Sequence, residues 1–198
     1  MSITKEYKEQ MTVKHEVNWG HTAVRFGAGR DVVKLLDNDK LAITTVLDFG
    51  AGTGSLGVHI QEERPGRAIW TQYDPGMKGM DCLPDGPFDL VVTCDVLEHV
   101  EPHLLDQTIF ECSDRADRVV YHNIPCYPTG STFSEGPYKG QNLHLTVEQP
   151  KFWEDKVRRN QPDFTIAEVV IVKRHNSADG YRIRVMITSE RIRPRVRR

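Results

Sequence analysis

The stretch VLDFGAGTGSLG, Val46 to Gly57, decides the fold. An apolar run ends in Asp48, and Gly50, Gly52 and Gly54 follow it before a helix-forming segment from about Ser55. That order predicts a strand feeding a tight glycine turn and then a helix. Upstream, residues 1 to about 20 are polar and charged, and Val32, Val33, Leu35 and Leu36 predict a short helix from Asp31 that delivers the chain to a strand at 45–49. Between them, Trp19, His21 and Phe26 are placed to cap a sheet or lid a pocket, core packing being favoured for Trp19 and Phe26.

Downstream, Pro65 and Gly66 end the helix. AIWTQYD then predicts a strand closing at Asp74, and Asp89 to about Thr93 a strand apolar enough to be buried on both faces. Pro102 predicts the first turn of a helix through Cys112 that presents Leu105, Ile109 and Cys112 on one face. DRVVYHNIP reads as a strand, EQPKFWEDKVRR as a helix with Trp153 in the core, and FTIAEVVIVKR and YRIRVMITSER as a hairpin joined by HNSADG. Strands alternating with helices and closing in a hairpin predict an α/β sandwich around a mostly parallel sheet.

The bulk properties narrow the function. The chain of 198 residues suits one domain with a small appendage, and a net charge of −2 argues against a surface that coats nucleic acid. RIRPRVRR, with Arg191, Arg193, Arg195, Arg197 and Arg198, reads either as a solvated tail or as a phosphate-binding arm. Cys82, Cys94, Cys112 and Cys126 lie far apart, as suits reduced thiols. No stretch approaches the ~20 apolar residues of a membrane span, and the N-terminus is too polar for a signal peptide, so a cytoplasmic location is expected.

Two nucleotide-bearing ligands compete for the glycine turn. Gly52, Gly54 and Gly57 spell G-x-G-x-x-G, the dinucleotide fingerprint. A dinucleotide places its pyrophosphate at the helix N-terminus, where an acid such as Asp48 would repel it. S-adenosylmethionine has no phosphate and carries a sulfonium and an ammonium, beside which Asp48 is tolerable and can accept a hydrogen bond.

LDFGAGTGSLG resembles motif I of class I S-adenosylmethionine-dependent methyltransferases, D-x-G-x-G-x-G, with Asp48, Gly50, Gly52 and Gly54 at the matching positions. Asp74, 20 residues after Gly54, stands where both families keep an acid for the ribose hydroxyls. MDCLPDGPFDLVVTCDVLEHVEP is similar to the family's D-x-L-P-x-x-x-F-D-x-V stretch followed by V-L-E-H-V, and a dehydrogenase has no reason to carry it. The resemblance covers roughly Val46 to Pro125. It implies a Rossmann-like three-layer sandwich, and cofactor contacts at Asp48, Gly50, Ala51, Gly52, Gly54, Asp74 and Pro75. Asp81 and Cys82 would lie near the adenine, and the loop Asp95 to His99 would face the methyl group. Only PGMKGM separates Asp74 from Asp81, where the family fits a helix and a strand. Six residues reach at most ~20 Å, so a shortened sheet edge is predicted. A subset of small bacterial and phage methyltransferase-like proteins is similar in this compression, in WG near the N-terminus and in GQNLHLTVEQPKFWEDKV.

Methyl transfer is an in-line displacement, so alignment of the acceptor carries most of the catalysis. A base is needed only where the acceptor loses a proton early. His99 is the candidate, with Glu98 beside it; the alternative is that both cap or orient the following helix. His99 and His103 stand four apart next to Glu98, but Pro102 breaks the helical ladder between them, so no metal ion is expected. His122 and Asn123 end a strand at the carboxyl edge of the sheet, where such folds bind ligands. In the segment from Cys126 to Leu145, Tyr138, Asn142 and His144 have the content of a substrate lid, or else pin the loop.

The expected organisation is a lead-in or lid over 1–30, a methyltransferase domain over 31–190 and a basic tail over 191–198. The expected function is methyl transfer from S-adenosylmethionine, leaving S-adenosylhomocysteine, to an oxygen or nitrogen of a small or sugar-like acceptor. A dedicated target-recognition domain and the N/D-P-P-Y/F signature are both missing from the sequence, which disfavours DNA. Two alternatives stay open: methylation of nucleic acid or a modified nucleotide, with the arginine tail on phosphates, and a scaffold that binds the cofactor without turnover.

Overall fold

The computed structural model describes residues 3–16, 28–176 and 180–192. Six strands form one sheet: β1 (Thr45–Phe49), β2 (Ile69–Tyr73), β3 (Phe88–Cys94), β4 (Ala116–Pro125), β5 (Phe164–Asn176) and β6 (Gly180–Arg191). Their order is β2-β1-β3-β4-β6-β5. The first four run parallel, and β6 pairs antiparallel with both β4 and β5. The hairpin pairs out to Asn176 opposite Gly180. The helices are α1 (Lys5–Glu16), α2 (Ala28–Leu36), α3 (Ser55–Glu63), α4 (Leu105–Arg115) and α5 (Pro150–Asn160).

Alternation along the buried strands sorts side chains onto the two faces. Val46, Leu90 and Val119 pack with Val32 and Leu36 of α2 and Leu56 and Ile60 of α3. On the other face, Leu47, Val91 and Val120 meet Cys112 of α4. Trp153 and Val157 of α5 join Leu105, Ile109, Val185 and Ile187 there. Helices thus cover both faces of a Rossmann-like sandwich, and Trp153 is fully buried.

The shortened edge is present. After β2 the chain folds into consecutive tight turns, Met77 N–H donating to Asp74 O and Met80 N–H to Met77 O, and then runs to β3 without another element. β2 is therefore an outer strand.

Two expectations need correcting, on Pro102 and Arg191, and α1 is an element that the sequence pattern left unassigned. Pro102 lies in an exposed turn closed by Leu104 N–H on Glu101 O, so α4 starts at Leu105; the buried face is the one predicted. The polar N-terminal segment contains α1, whose Tyr7 packs with Phe133 and Leu143 in a small cluster of its own. Arg191 belongs to β6: it bonds Ser113 O, Ala116 O and Asp163 and lies 4.5 Å over the Phe164 ring, so it is a staple within the fold and not part of a tail. Trp19, His21, Phe26 and the arginines at 193–198 lie outside the described residues. Among the described residues all four cysteines are free, and no helix is long and apolar enough to cross a membrane.

Candidate active site

Parallel strands deliver their carboxyl ends to one edge. Gly50 follows β1, Asp74 follows β2, Asp95 follows β3 and Cys126 follows β4. The glycine turn lies on Asp74: Gly52 N–H and Gly76 N–H donate to its two carboxylate oxygens, each at 2.8 Å. Gly50 N–H and Ala51 N–H donate to Tyr73 O, and Gly54 N–H to Ala51 O. Gly50, at φ +82°, must lack a side chain, because a Cβ there would stand 2.6 Å from Val96 Cγ2. Gly54, at φ +77°, is equally constrained, its Cβ position being 2.3 Å from Gln72 Nε2.

The amides of Gly50, Ala51, Gly52 and Gly54 thus donate within the protein, where a pyrophosphate cradle would aim them at its ligand. Behind the turn, Asp48 is 2 % exposed, and its Oδ2 accepts no hydrogen bond among the described residues. Burial, and then the charge of Asp74, lift its carboxyl from the ordinary 3.8 to about 7. A carboxylate held dry beside a second acid fits a cationic ligand group and opposes a phosphate.

Asp95 takes the left-handed backbone at φ +59°, which short acidic side chains tolerate better than most. Its Oδ1 accepts from Arg184, which also donates to Asn123 Oδ1 at 3.1 Å and to the Tyr127 hydroxyl at 3.2 Å. Arg184 went unremarked in the sequence reading; its position opposite Pro125 at the carboxyl end of β4 sets it apart from the nearby Arg182, and only the strand pairing reveals it. Burial, with the charges of Asp48 and Asp95, raises the neighbouring Cys94 thiol well above its usual range, so it stays protonated.

Glu98 and His99 occupy a 3-10 turn, Leu97–His99, one residue after Val96. The segment 143–146 lies along it: His99 Nδ1–H donates to Leu143 O at 2.7 Å, and Thr146 N–H donates to Glu98 O at 3.0 Å. His144 joins the pair, its ring 4.7 Å from that of His99 and nearly perpendicular to it. Burial pushes the Glu98 carboxyl well up, reinforced by Asp95, and pushes the His144 imidazolium down, so that ring is neutral. His103, by contrast, is exposed. The histidine that meets Glu98 and His99 comes from far along the chain, and the helical-ladder argument applied to His103 does not bear on it.

The other predicted substrate residues are held by contacts within the fold. His122 is fully buried; Gln161 donates to its Nε2 at 2.9 Å and its Nδ1–H donates to Thr93 Oγ1 at 2.8 Å, while burial drops its pKa to about 3. With both nitrogens engaged inside the sheet, His122 cannot meet an acceptor. Asn142 bonds Thr129 through both its oxygen and its amide, pinning the loop. The Tyr138 hydroxyl donates to Glu101, which also accepts from Thr4, so Tyr138 ties the 126–145 segment to the start of α1. On the cofactor side, Asp81 and Cys82 are exposed, and Lys8 of α1 pairs with Asp81 at 3.1 Å and lowers its pKa.

Solved structures share this fold. A 1,6-didemethyltoxoflavin-N1-methyltransferase from Burkholderia thailandensis, with its substrate and S-adenosylhomocysteine bound, is 15% identical over 96% of this chain and 92% of that chain, with a TM-score of 0.59. The fold is that of class I methyltransferases. Magnesium protoporphyrin IX methyltransferase from Synechocystis PCC 6803 is similar at 19% identity over 88% of this chain and 84% of its own, TM-score 0.54. An S-adenosylmethionine-dependent methyltransferase from Archaeoglobus fulgidus is similar at 15%, over 82% and 90%, TM-score 0.53. No family model and no curated protein matches the chain by sequence.

Proposed function

We propose that this protein transfers a methyl group from S-adenosylmethionine to an oxygen or nitrogen of a small or sugar-like acceptor. The observation that carries the reading is the buried Asp48 carboxylate behind a glycine turn whose amides donate inward. That pairing suits a cationic, phosphate-free cofactor. The ligands named with the similar structures, S-adenosylhomocysteine among them, support it.

When bound, S-adenosylmethionine supplies a methyl group already activated on sulfonium. Asp48 would hold the ammonium end, Asp74 the ribose hydroxyls, and Pro75, Asp81 and Cys82 the adenine side. Arg184 holds Asp95 in its left-handed conformation and so fixes the path of the chain into the Glu98–His99 turn. The acceptor is placed between that turn and the 126–145 segment. Its proton goes to the Glu98–His99–His144 cluster, in which the Leu143 carbonyl fixes the His99 proton on Nδ1 and leaves Nε2 as the basic atom.

Calorimetric titration with S-adenosylhomocysteine, S-adenosylmethionine and NADH tests the reading. Micromolar binding of the first two and none of NADH is expected. Binding of NADH alone, or of none of the three, refutes it.

A further inference from the structure

The Glu98–His99–His144 cluster has a geometry that proton transfer alone does not require. One ligand-type atom from each residue lies within 4.8 Å of the other two. Both rings are held from behind: His99 Nδ1–H donates to Leu143 O at 2.7 Å, and His144 Nδ1–H to Tyr127 O at 2.6 Å. A neutral ring so bonded carries its lone pair on Nε2, and the two Nε2 atoms stand 3.6 and 3.8 Å from the same oxygen, Glu98 Oε1. Glu98 is 0 % exposed, and neither of its oxygens accepts a hydrogen bond among the described residues. A buried carboxyl in that condition ionises only against a compensating positive group.

We propose that Glu98, His99 and His144 bind a divalent transition-metal ion. Two imidazoles whose far nitrogens are anchored to carbonyls are the usual outer support of metal-ligating histidines. Nitrogen and carboxylate donors lie ~2.0–2.2 Å from such an ion, so neighbouring ligands stand ~3–3.5 Å apart. The two histidine-to-carboxylate separations, 3.6 and 3.8 Å, exceed this by a few tenths of an ångström, and the widest separation in the set, within 4.8 Å, means that closing on an ion also draws the two rings together. Two nitrogens and one carboxylate select zinc, manganese, iron or cobalt over magnesium and calcium, whose shells are built of oxygen. Three protein ligands leave positions open, and the turn that carries two of them follows directly from Asp95 at the catalytic edge.

The ion's role rests on the methyl-transfer reading: with both Nε2 lone pairs committed to it, the ion would replace the histidine base, take the acceptor oxygen into an open position and lower its pKa, so that the proton leaves to solvent. Its binding does not rest on that reading. The test is titration of the chelator-treated full chain with cobalt(II), followed by visible absorption and checked by zinc competition. One ion per chain, bound at micromolar concentration and displaced by zinc, is expected. His144→Ala and the isosteric Glu98→Gln should each weaken it at least tenfold, while His103→Ala leaves it unchanged. A wild-type chain that binds no cobalt, or correctly folded variants that bind as tightly as wild type, overturns the proposal. S-adenosylhomocysteine titrated in parallel separates the two readings: cofactor binding without metal sinks only the ion, and metal without cofactor sinks only the methyl transfer.

Discussion

The Asp48 carboxyl should make cofactor affinity depend on pH in a way that no other group at the edge reproduces. Its pKa stands at about 7 in place of 3.8, through burial first and the charge of Asp74 second. At ~1.4 kcal/mol per pH unit, this corresponds to about 4 kcal/mol. The sign follows from a raised acid. The folded protein holds the Asp48 proton more tightly than the unfolded chain, so the penalty is absent below pH 4, grows between pH 4 and 7 and is complete above 7. A ligand ammonium placed against Asp48 reverses this by favouring the ionised form. Affinity for S-adenosylhomocysteine should therefore strengthen close to tenfold per pH unit between pH 5 and 7 and level off above it. Asp48→Asn should abolish that slope and, in the empty protein at pH 8, gain up to about 4 kcal/mol of stability. Calorimetry across the pH series and urea denaturation of both proteins measure the two effects. A flat wild-type profile, or the same slope in the variant, refutes the role given to Asp48.

Two further outcomes follow from the packing. Gly50→Ala places a Cβ 2.6 Å from Val96 Cγ2 at φ +82°, and should cost about 1–3 kcal/mol and weaken cofactor binding. Adding Val96→Ala should restore only the part due to the clash, so full recovery in the double variant would dismiss backbone strain as a cause. Arg184→Met strands the Asp95 carboxylate in a buried site and should destabilise the fold by about 3–5 kcal/mol in urea titration. Adding Asp95→Asn should return much of that loss; no recovery would mean that Arg184 acts through Asn123 and Tyr127 alone.

The parts of the site that were legible from sequence are those where backbone geometry demands a residue type. Left-handed positions at Gly50, Gly52 and Gly54 leave a glycine signature that needs no partner to be read. The six-residue gap before Asp81 likewise bounds what the chain can build there. The residues misplaced or overlooked depend on pairings distant in sequence. His122 looks like an edge residue by position, yet Thr93 and Gln161 close it into the sheet. His144 meets Glu98 and His99 only because the 143–146 segment folds back along their turn. Helix α1 has a polar, weakly patterned sequence, and its buried contact comes from Tyr7 against a loop more than a hundred residues later.

That helix also changes what the missing strand means. One of its residues, Lys8, grips the turn that replaces the lost element, while Thr4 and Tyr7 hold Glu101, Phe133 and Tyr138 next to the Glu98–His99 turn. The segment from Thr4 through α1 is thus a strut shared by the Asp81 turn and the Glu101–Tyr138 contacts. On the proposed reading, a tilt of α1 that loosens one end loosens the other, which would couple cofactor entry to acceptor enclosure.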